Sequence, residues 1–245
     1  MQIRTRTIPL TRDAIARLGG SAEAPPIGVL ATSLRVEPVV EPCNFSTEWQ
    51  LPDPVRPRDF ADEWQRLRDS RHNWTKDDVR NHAVASQFYE LYKQLGIDPR
   101  RNPPSAANLL MRFVIGERCR QPLPNINSVV NAGNVVQAET LVPIAIFDAD
   151  AVGDDMILDV ARDGDILDAF GFDQPEPVDP SRLVLRDSQR VLSEFCYRDG
   201  KAQAVGANTR NLHILACRAG NVDESTARSA LERVVELIGT CHRIQ

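Results

Sequence analysis

No apolar run in the 245 residues approaches the ~18 that a membrane-spanning helix needs. The start, MQIRTRTIPL, is basic but lacks the apolar stretch of a secretory signal. Cysteine is scarce. The five, Cys43, Cys119, Cys196, Cys217 and Cys241, are odd in number and scattered, and no C-x-x-C pair occurs. That spacing argues against a zinc framework, and each thiol is expected to be free and at least partly buried. The four histidines, His72, His82, His213 and His242, are dispersed without neighbouring ligands, so neither a metal nor a cofactor is expected. G-x-S-x-G, a P-loop, G-x-G-x-x-G and H-E-x-x-H are all missing. These absences lead to the expectation of a cytoplasmic protein with no membrane partner and no nucleophile marked by a motif.

An excess of positive charge is missing too. The net charge is −5, which speaks against a general nucleic-acid binder and leaves no DNA specificity expected. The distribution is less even than the sum. Residues 56–120 hold about 13 Lys and Arg against about 9 Asp and Glu, and residues 121–190 hold about 4 against about 13. The basic part includes Arg56, Arg58, Arg66, Arg68, Arg71, Arg100, Arg101, Arg112, Arg118 and Arg120. It reads either as a face for a phosphate backbone or as solvated helices of mixed charge. The residues alone favour the second reading. The acid pairs Asp148/Asp150 and Asp154/Asp155 read as solvated surface.

What is present is an ordinary globular composition, 42% apolar and 26% charged, long enough for a full core. Residues 26–38 predict an early strand, and Pro52, Pro54 and Pro57 a connection. Phe60, Trp64 and Leu67 have helical spacing. Residues 75–96 predict one helix: Thr75 is the N-cap, Asp77 and Asp78 suit its positive end, Val79, Val84, Phe88, Leu91 and Leu95 form a stripe, and Gly96 stops it. A second helix is predicted over 105–116, capped by Ser105 and closed by Gly116. The stretch NINSVVNAGN, 125–134, has two readings. Asn127 caps a helix that runs to about Glu139, or NAG is a turn between two valine-rich strands. Residues 140–148 predict a buried strand. The second half holds short strand candidates within 155–161, 182–187, 191–197 and 211–217, a loop over 171–181, and a final helix over 223–239 capped by Asp223 and stopped by Gly239. The pattern predicts an α+β fold with mixed sheets and packed helices, a single domain over 1–245 with 1–75 as its N-terminal part.

Residues 124–148, PNINSVVNAGNVVQAETLVPIAIFD, resemble the editing domain of the bacterial phenylalanyl-tRNA synthetase β subunit. Asn127, Val129, Val130, Asn134, Pro143, Phe147 and Asp148 fall in register with that family's segment. Residues 157–165 and 181–187 resemble the strands that follow it. The chain is more similar still to free-standing relatives of that domain, through Ser105, Leu109, Leu110 and Arg112 and through Thr209, Arg210 and Asn211. The resemblance covers most of the chain. It implies the fold of that domain, a helix for the asparagine segment, and tRNA and the amino-acid moiety of an aminoacyl-tRNA as partners. In the synthetase the domain hydrolyses tyrosine wrongly attached to the phenylalanine tRNA. Here the resemblance implies a trans-editing deacylase or a non-catalytic tRNA- or amino-acid-binding module.

Three positions depart from the family pattern: Ala145 stands for the editing histidine, Asn131 for an aspartate, and Ala107 for a glutamate. On the enzyme reading, Asn134 and Asp148 are the catalytic candidates. Ser105, Asn127, Asn131, Pro143, Ala145 and Thr209 bind substrate, and Arg100, Arg101 and Arg112 face the acceptor stem. No protein base is strictly required, because the free ribose hydroxyl can relay a proton. The alternative for the same residues is structural: Asn127 a helix cap, Asn131 and Asn134 bonded to backbone, Asp148 the end of a strand and the cap of the next turn.

Overall fold

Two long strands carry apolar residues on both faces, so each face needs its own cover. The computed structural model describes residues 3–38, 59–115, 123 and 125–245. The expected connection at 50–58, the expected stop at Gly116, Cys43, Cys119, Arg56, Arg58, Arg118 and Arg120 lie outside them. In chain order, β1 (Arg6–Thr7) and α1 (Arg12–Arg17) precede the long β2 (Ile27–Pro38). A helical section follows: α2 (Ala61–Ser70), α3 (Lys76–Asn81), α4 (Ala83–Gln94), α5 (Ser105–Phe113) and α6 (Ser128–Thr140). Strands β3 (Ile144–Asp148), β4 (Ile157–Val160), β5 (Ile166–Leu167), β6 (Glu176–Pro177), β7 (Leu183–Arg186), β8 (Val191–Glu194), β9 (Arg198–Asp199) and β10 (Asn211–Ala219) come next. The described chain ends with α7 (Glu224–Gly239) and β11 (His242–Ile244). The fold class is α+β, with antiparallel pairing throughout the named sheets.

The main sheet has the order β1-β2-β10-β3, and β11 pairs with the far end of β2. Along β10, Leu212, Ile214 and Ala216 point into one core, while Leu215, Cys217 and Ala219 point into the other. This is the period-two alternation of a strand covered on both sides. The first core is closed by residues of α2, α5, α6 and α7. The second is closed by α1, α4 and the sheet β4-β7-β8-β9. Trp64 is fully buried and meets Phe113 edge-on at 5.9 Å, which ties α2 to α5.

The asparagine segment is a helix, α6, with Asn127 as its N-cap: its Oδ1 accepts the Val130 N–H at 2.9 Å. Valine propensity for strands yields here to burial, since Val129, Val135 and Val136 enter the first core. At Gly133 an added Cβ would sit 2.9 Å from Cδ1 of Ile146, so the missing side chain lets α6 lie close on β3.

Three expectations need correction. The single helix over 75–96 is two helices, broken at His82 in extended conformation (φ −60°, ψ 139°). The apolar stripe serves both cores: Val79 packs in the first, and Phe88, Leu91 and Leu95 pack in the second. A straight helix cannot turn one stripe toward both, and the His82 ring caps the new start by accepting the Val84 N–H at 3.2 Å. Ser105 is not the cap of α5. Pro104 holds that position, and Ser105 is the first helical residue with its hydroxyl turned to Gln137. The expected loop over 171–181 contains β6, paired with β5.

Candidate functional site

One side of α6 from Val130 to Gln137, β3 and the turn after β9 meet around a cavity of about 240 Å³. Val130, Gly133, Ile144, Ile146 and Phe147 make its walls apolar, and Ile126 and Phe170 sit at it with 64% and 58% of their surface exposed. Large apolar groups left that open around a concavity mark a binding mouth. Four polar residues line the same space: Asn134, Gln137, Asp199 and Gln203.

Each of the four is held differently. Asn134 makes no hydrogen bond among the described residues and keeps both its donor and its acceptor for a ligand. The Oε1 of Gln137 accepts the Ser105 hydroxyl at 2.9 Å, which orients the amide and leaves its Nε2 as a donor. Gln203 is 1% exposed; its Nε2 donates to the Leu192 carbonyl, and its Oε1 is buried without a partner. An orphaned buried acceptor of this kind costs about 1–3 kcal/mol unless a ligand or water completes it. Gly200 makes the packing of this amide possible, because a Cβ there would stand 2.9 Å from the Leu192 carbonyl oxygen.

Asp199 is the most informative group. It lines the large cavity and also a smaller one of about 60 Å³. Asp199 is exposed where it meets the cavities, and among the described residues its carboxylate has no cation or hydrogen-bond donor as partner. Desolvation raises its pKa from 3.8 to about 6. The neighbouring Arg198 does not pair with it; that guanidinium stacks on Phe172 and Tyr197, 4.3 and 4.5 Å from the ring centroids. The smaller cavity is also lined by Ser105, Pro143 and Ala145. Ala145, where the resemblance places a histidine, therefore faces the same space as Asp199. Two thiols lie on that wall, Cys196 and Cys217, and burial pushes the Cys196 thiol well up.

The residues singled out from sequence divide into groups. Ser105, Pro143 and Ala145 come together at the smaller cavity and Asn134 at the larger. Asn131 is 1% exposed and serves the loop before α6: its Oδ1 accepts the Ile126 N–H at 3.0 Å, and its Nδ2 donates to Asn125 at 2.8 Å. Asp148 accepts the Thr209 hydroxyl at 2.6 Å and the Asp150 N–H at 3.0 Å, and lines neither of these two cavities. Asn127 caps α6 and also donates to the Val205 carbonyl at 3.2 Å, joining the helix start to the loop that walls the large cavity. Asn127→Ala is expected to cost about 1 kcal/mol of stability, read as a lower urea midpoint, and to loosen Val205. An unchanged midpoint would show that the cap carries no weight.

The basic region is only partly available to a partner. Arg71 donates to the carbonyls of Ala138 and Glu139 at 2.6 and 2.5 Å, where a cation suits the C-terminus of α6. Arg68 donates to the Phe113 carbonyl at 2.9 Å. Arg100, Arg101 and Arg112 are exposed; Arg101 lies 3.7 Å from Asp98, and Arg112 lies over Phe113.

Asp199, Gln137 and Gln203 were not visible as site residues in the sequence. Gln137 stands one helical turn after Asn134, a weak signal. Asp199 and Gln203 lie beside a turn that carries no motif.

The chain is thus an α+β protein with a mostly apolar cavity edged by carboxamides and one unpaired carboxylate. The B3/4 domain family model matches residues 88–242, and the chain belongs to the B3/4 domain family. It is 30% identical over 97 residues to the phenylalanine–tRNA ligase beta subunit of Neisseria meningitidis serogroup B (strain ATCC BAA-335 / MC58), across 40% of this chain and 12% of that protein. The chain is a relative of a domain of that subunit and spans a small part of its length. A similar solved structure is an N-terminal fragment of the phenylalanyl-tRNA synthetase beta subunit from Pyrococcus horikoshii: TM-score 0.41, 16% identity, 49% of this chain and 43% of that one covered. No helix among the described residues is long and apolar enough to cross a membrane.

Proposed function

We propose that the chain binds the aminoacyl end of a charged tRNA and hydrolyses its ester. The observation that carries this reading is the unpaired Asp199 carboxylate, facing both cavities with its pKa raised to about 6. A base in that range is ionised at neutral pH and still basic enough to take a proton from water. It faces the space where the family's histidine would stand, so it supports hydrolysis despite Ala145. The amino-acid side chain occupies the apolar walls of the large cavity. Phe170 offers its exposed ring to the terminal base.

In this scheme Asp199 removes a proton from a water as its oxygen attacks the ester carbon. Asn134 Nδ2 and Gln137 Nε2 donate to the oxyanion that develops. The ester C–O bond breaks, and the ribose oxygen leaves with the proton that Asp199 took, relayed through its neighbouring hydroxyl, which returns Asp199 to its ionised form. Ser105 positions Gln137 through their hydrogen bond. Asp148 positions the Thr209 loop, and Arg100, Arg101 and Arg112 meet the acceptor stem.

The test offers the protein a panel of correctly and incorrectly charged tRNAs, with Asn134→Ala as control. One amino acid released by wild type, and released at least ~10-fold more slowly by the variant, is the expected result. Ala145 favours a second reading, a binding module without hydrolysis. Retention of charged tRNA with no ester cleaved would decide for it. Neither cleavage nor binding would sink both readings.

A further inference from the structure

A third cavity, about 110 Å³, lies between the start of α6, the loop 205–210 and β11. It shares Val205 with the large cavity. The start of α6 separates them: Ile126 and Val130 face the large cavity, while Asn127, Ser128 and Val129 face this one.

Its polar lining side chains are Asn127, Ser128, Thr209, Arg210 and His242, with no carboxylate among them. The Ser128 hydroxyl lies 2.6 Å from Nε2 of His242. Arg210 is held against the loop, with Nη1 donating to the carbonyls of Ala207 and Thr209 at 2.9 Å, and the ion pairs of the described residues do not include it. Nδ1 of His242 is buried without a partner. The first N–H groups of α6, a helix of 13 residues, open beside Ser128. The Oδ1 of Asn127 is an acceptor, but the Val130 N–H already occupies it. One carboxylate is tied to a lining side chain: Asp148, which takes the Thr209 hydroxyl and does not itself line the cavity.

We infer that this cavity holds a phosphate group of the RNA whose aminoacyl end enters the large cavity. The inference rests on the tRNA reading above. The ester and the nearest phosphate of a charged tRNA sit on the same terminal nucleoside, so two pockets that share one wall suit the two ends of that unit. A phosphate accepts from Arg210, from the Ser128 hydroxyl when His242 Nε2–H donates to that oxygen, and from the α6 N–H groups, and brings the anion that the Arg210 guanidinium lacks.

The experiment follows the His242 ring by NMR in the full chain, titrated with inorganic phosphate and with a CCA-ended RNA hairpin. Both probes are expected to shift the His242 signals and raise its apparent pKa in wild type and in Asp199→Asn. Arg210→Gln removes the response to phosphate and weakens hairpin binding about 10-fold, and the slope of log affinity against log salt falls by about one. Because Arg210 also ties the loop, Arg210→Lys is the companion variant: it keeps the charge and retains a measurable response. The dispersion of the His242 signals reports folding in each. A hairpin that binds without moving His242 overturns this inference and leaves the tRNA reading intact. Phosphate that moves His242 while the hairpin goes unbound overturns the RNA source together with that reading. No response to either probe overturns the site.

Discussion

Asp199→Asn is expected to lose at least ~100-fold of the deacylation rate and to make the protein more stable at neutral pH. Loss of rate follows if the carboxylate is the base. Wild-type kcat/KM should then rise with pH through about 6, where the group ionises, and level off above it. The gain in stability follows from linkage. The folded pKa, about 6, lies above the ordinary 3.8. Between these values the unfolded chain has released its proton and the folded chain has not, so stability falls as pH rises. The penalty is complete above pH 6 and absent below 3.8. Asparagine removes it. Because the carboxylate is open to cavity water, the effect is discounted to the order of 1 kcal/mol, or roughly 2–4 °C in Tm at this size. Thermal melts at pH 4 and pH 7 separate the cases. A variant that melts lower than wild type at pH 7 alone would mean that the anion stabilises the fold, and the base assignment would lose its ground.

The second large effect concerns the sheet behind the site. Arg186 is 8% exposed and pairs with Asp165 and, at 3.5 Å, with Asp159, which is 4% exposed. Thr11 and Arg162 also bond Asp159, each at 2.7 Å. Arg186→Met leaves these carboxylates without their shared guanidinium, and a loss of about 3–5 kcal/mol is expected. Burial works to raise the Asp159 pKa, but the bonds from Thr11, Arg162 and the Val160 backbone outweigh it, so the pKa is lowered overall. Its contribution is therefore present above 3.8 and is lost as pH falls through the folded value. Urea unfolding of wild type and variant at pH 7 measures the loss. A difference under about 1 kcal/mol would show that the network is no stronger than a surface pair.

The residue types at the cavity illustrate why sites are harder to read than elements. Asn131 and Asn134 stand three residues apart in one motif, yet the first ties a loop and the second faces the cavity. A helix places them about 60° apart, enough for one to meet protein and the other space. Asp148 matched the family motif, and its oxygens accept from Thr209 and Asp150. Asp199 matched nothing, and it alone has an open, unpaired carboxylate at both cavities.

The helix caps, the apolar stripes and the alternation of strands were legible because they depend on neighbours a few residues apart. Thr75 and Asp223 cap helices as expected, and Asn127 caps α6 as one of its two readings had it. The family was legible because one continuous segment, 124–148, carries its pattern. Tertiary structure alone decided the rest. It broke the helix at His82, because one stripe had to serve two cores. It made α6 a helix against the strand preference of valine, because the sheet offers those side chains a core. It also set Asp199 beside residues more than fifty positions away, where no cation among the described residues pairs with it and desolvation raises its pKa to about 6.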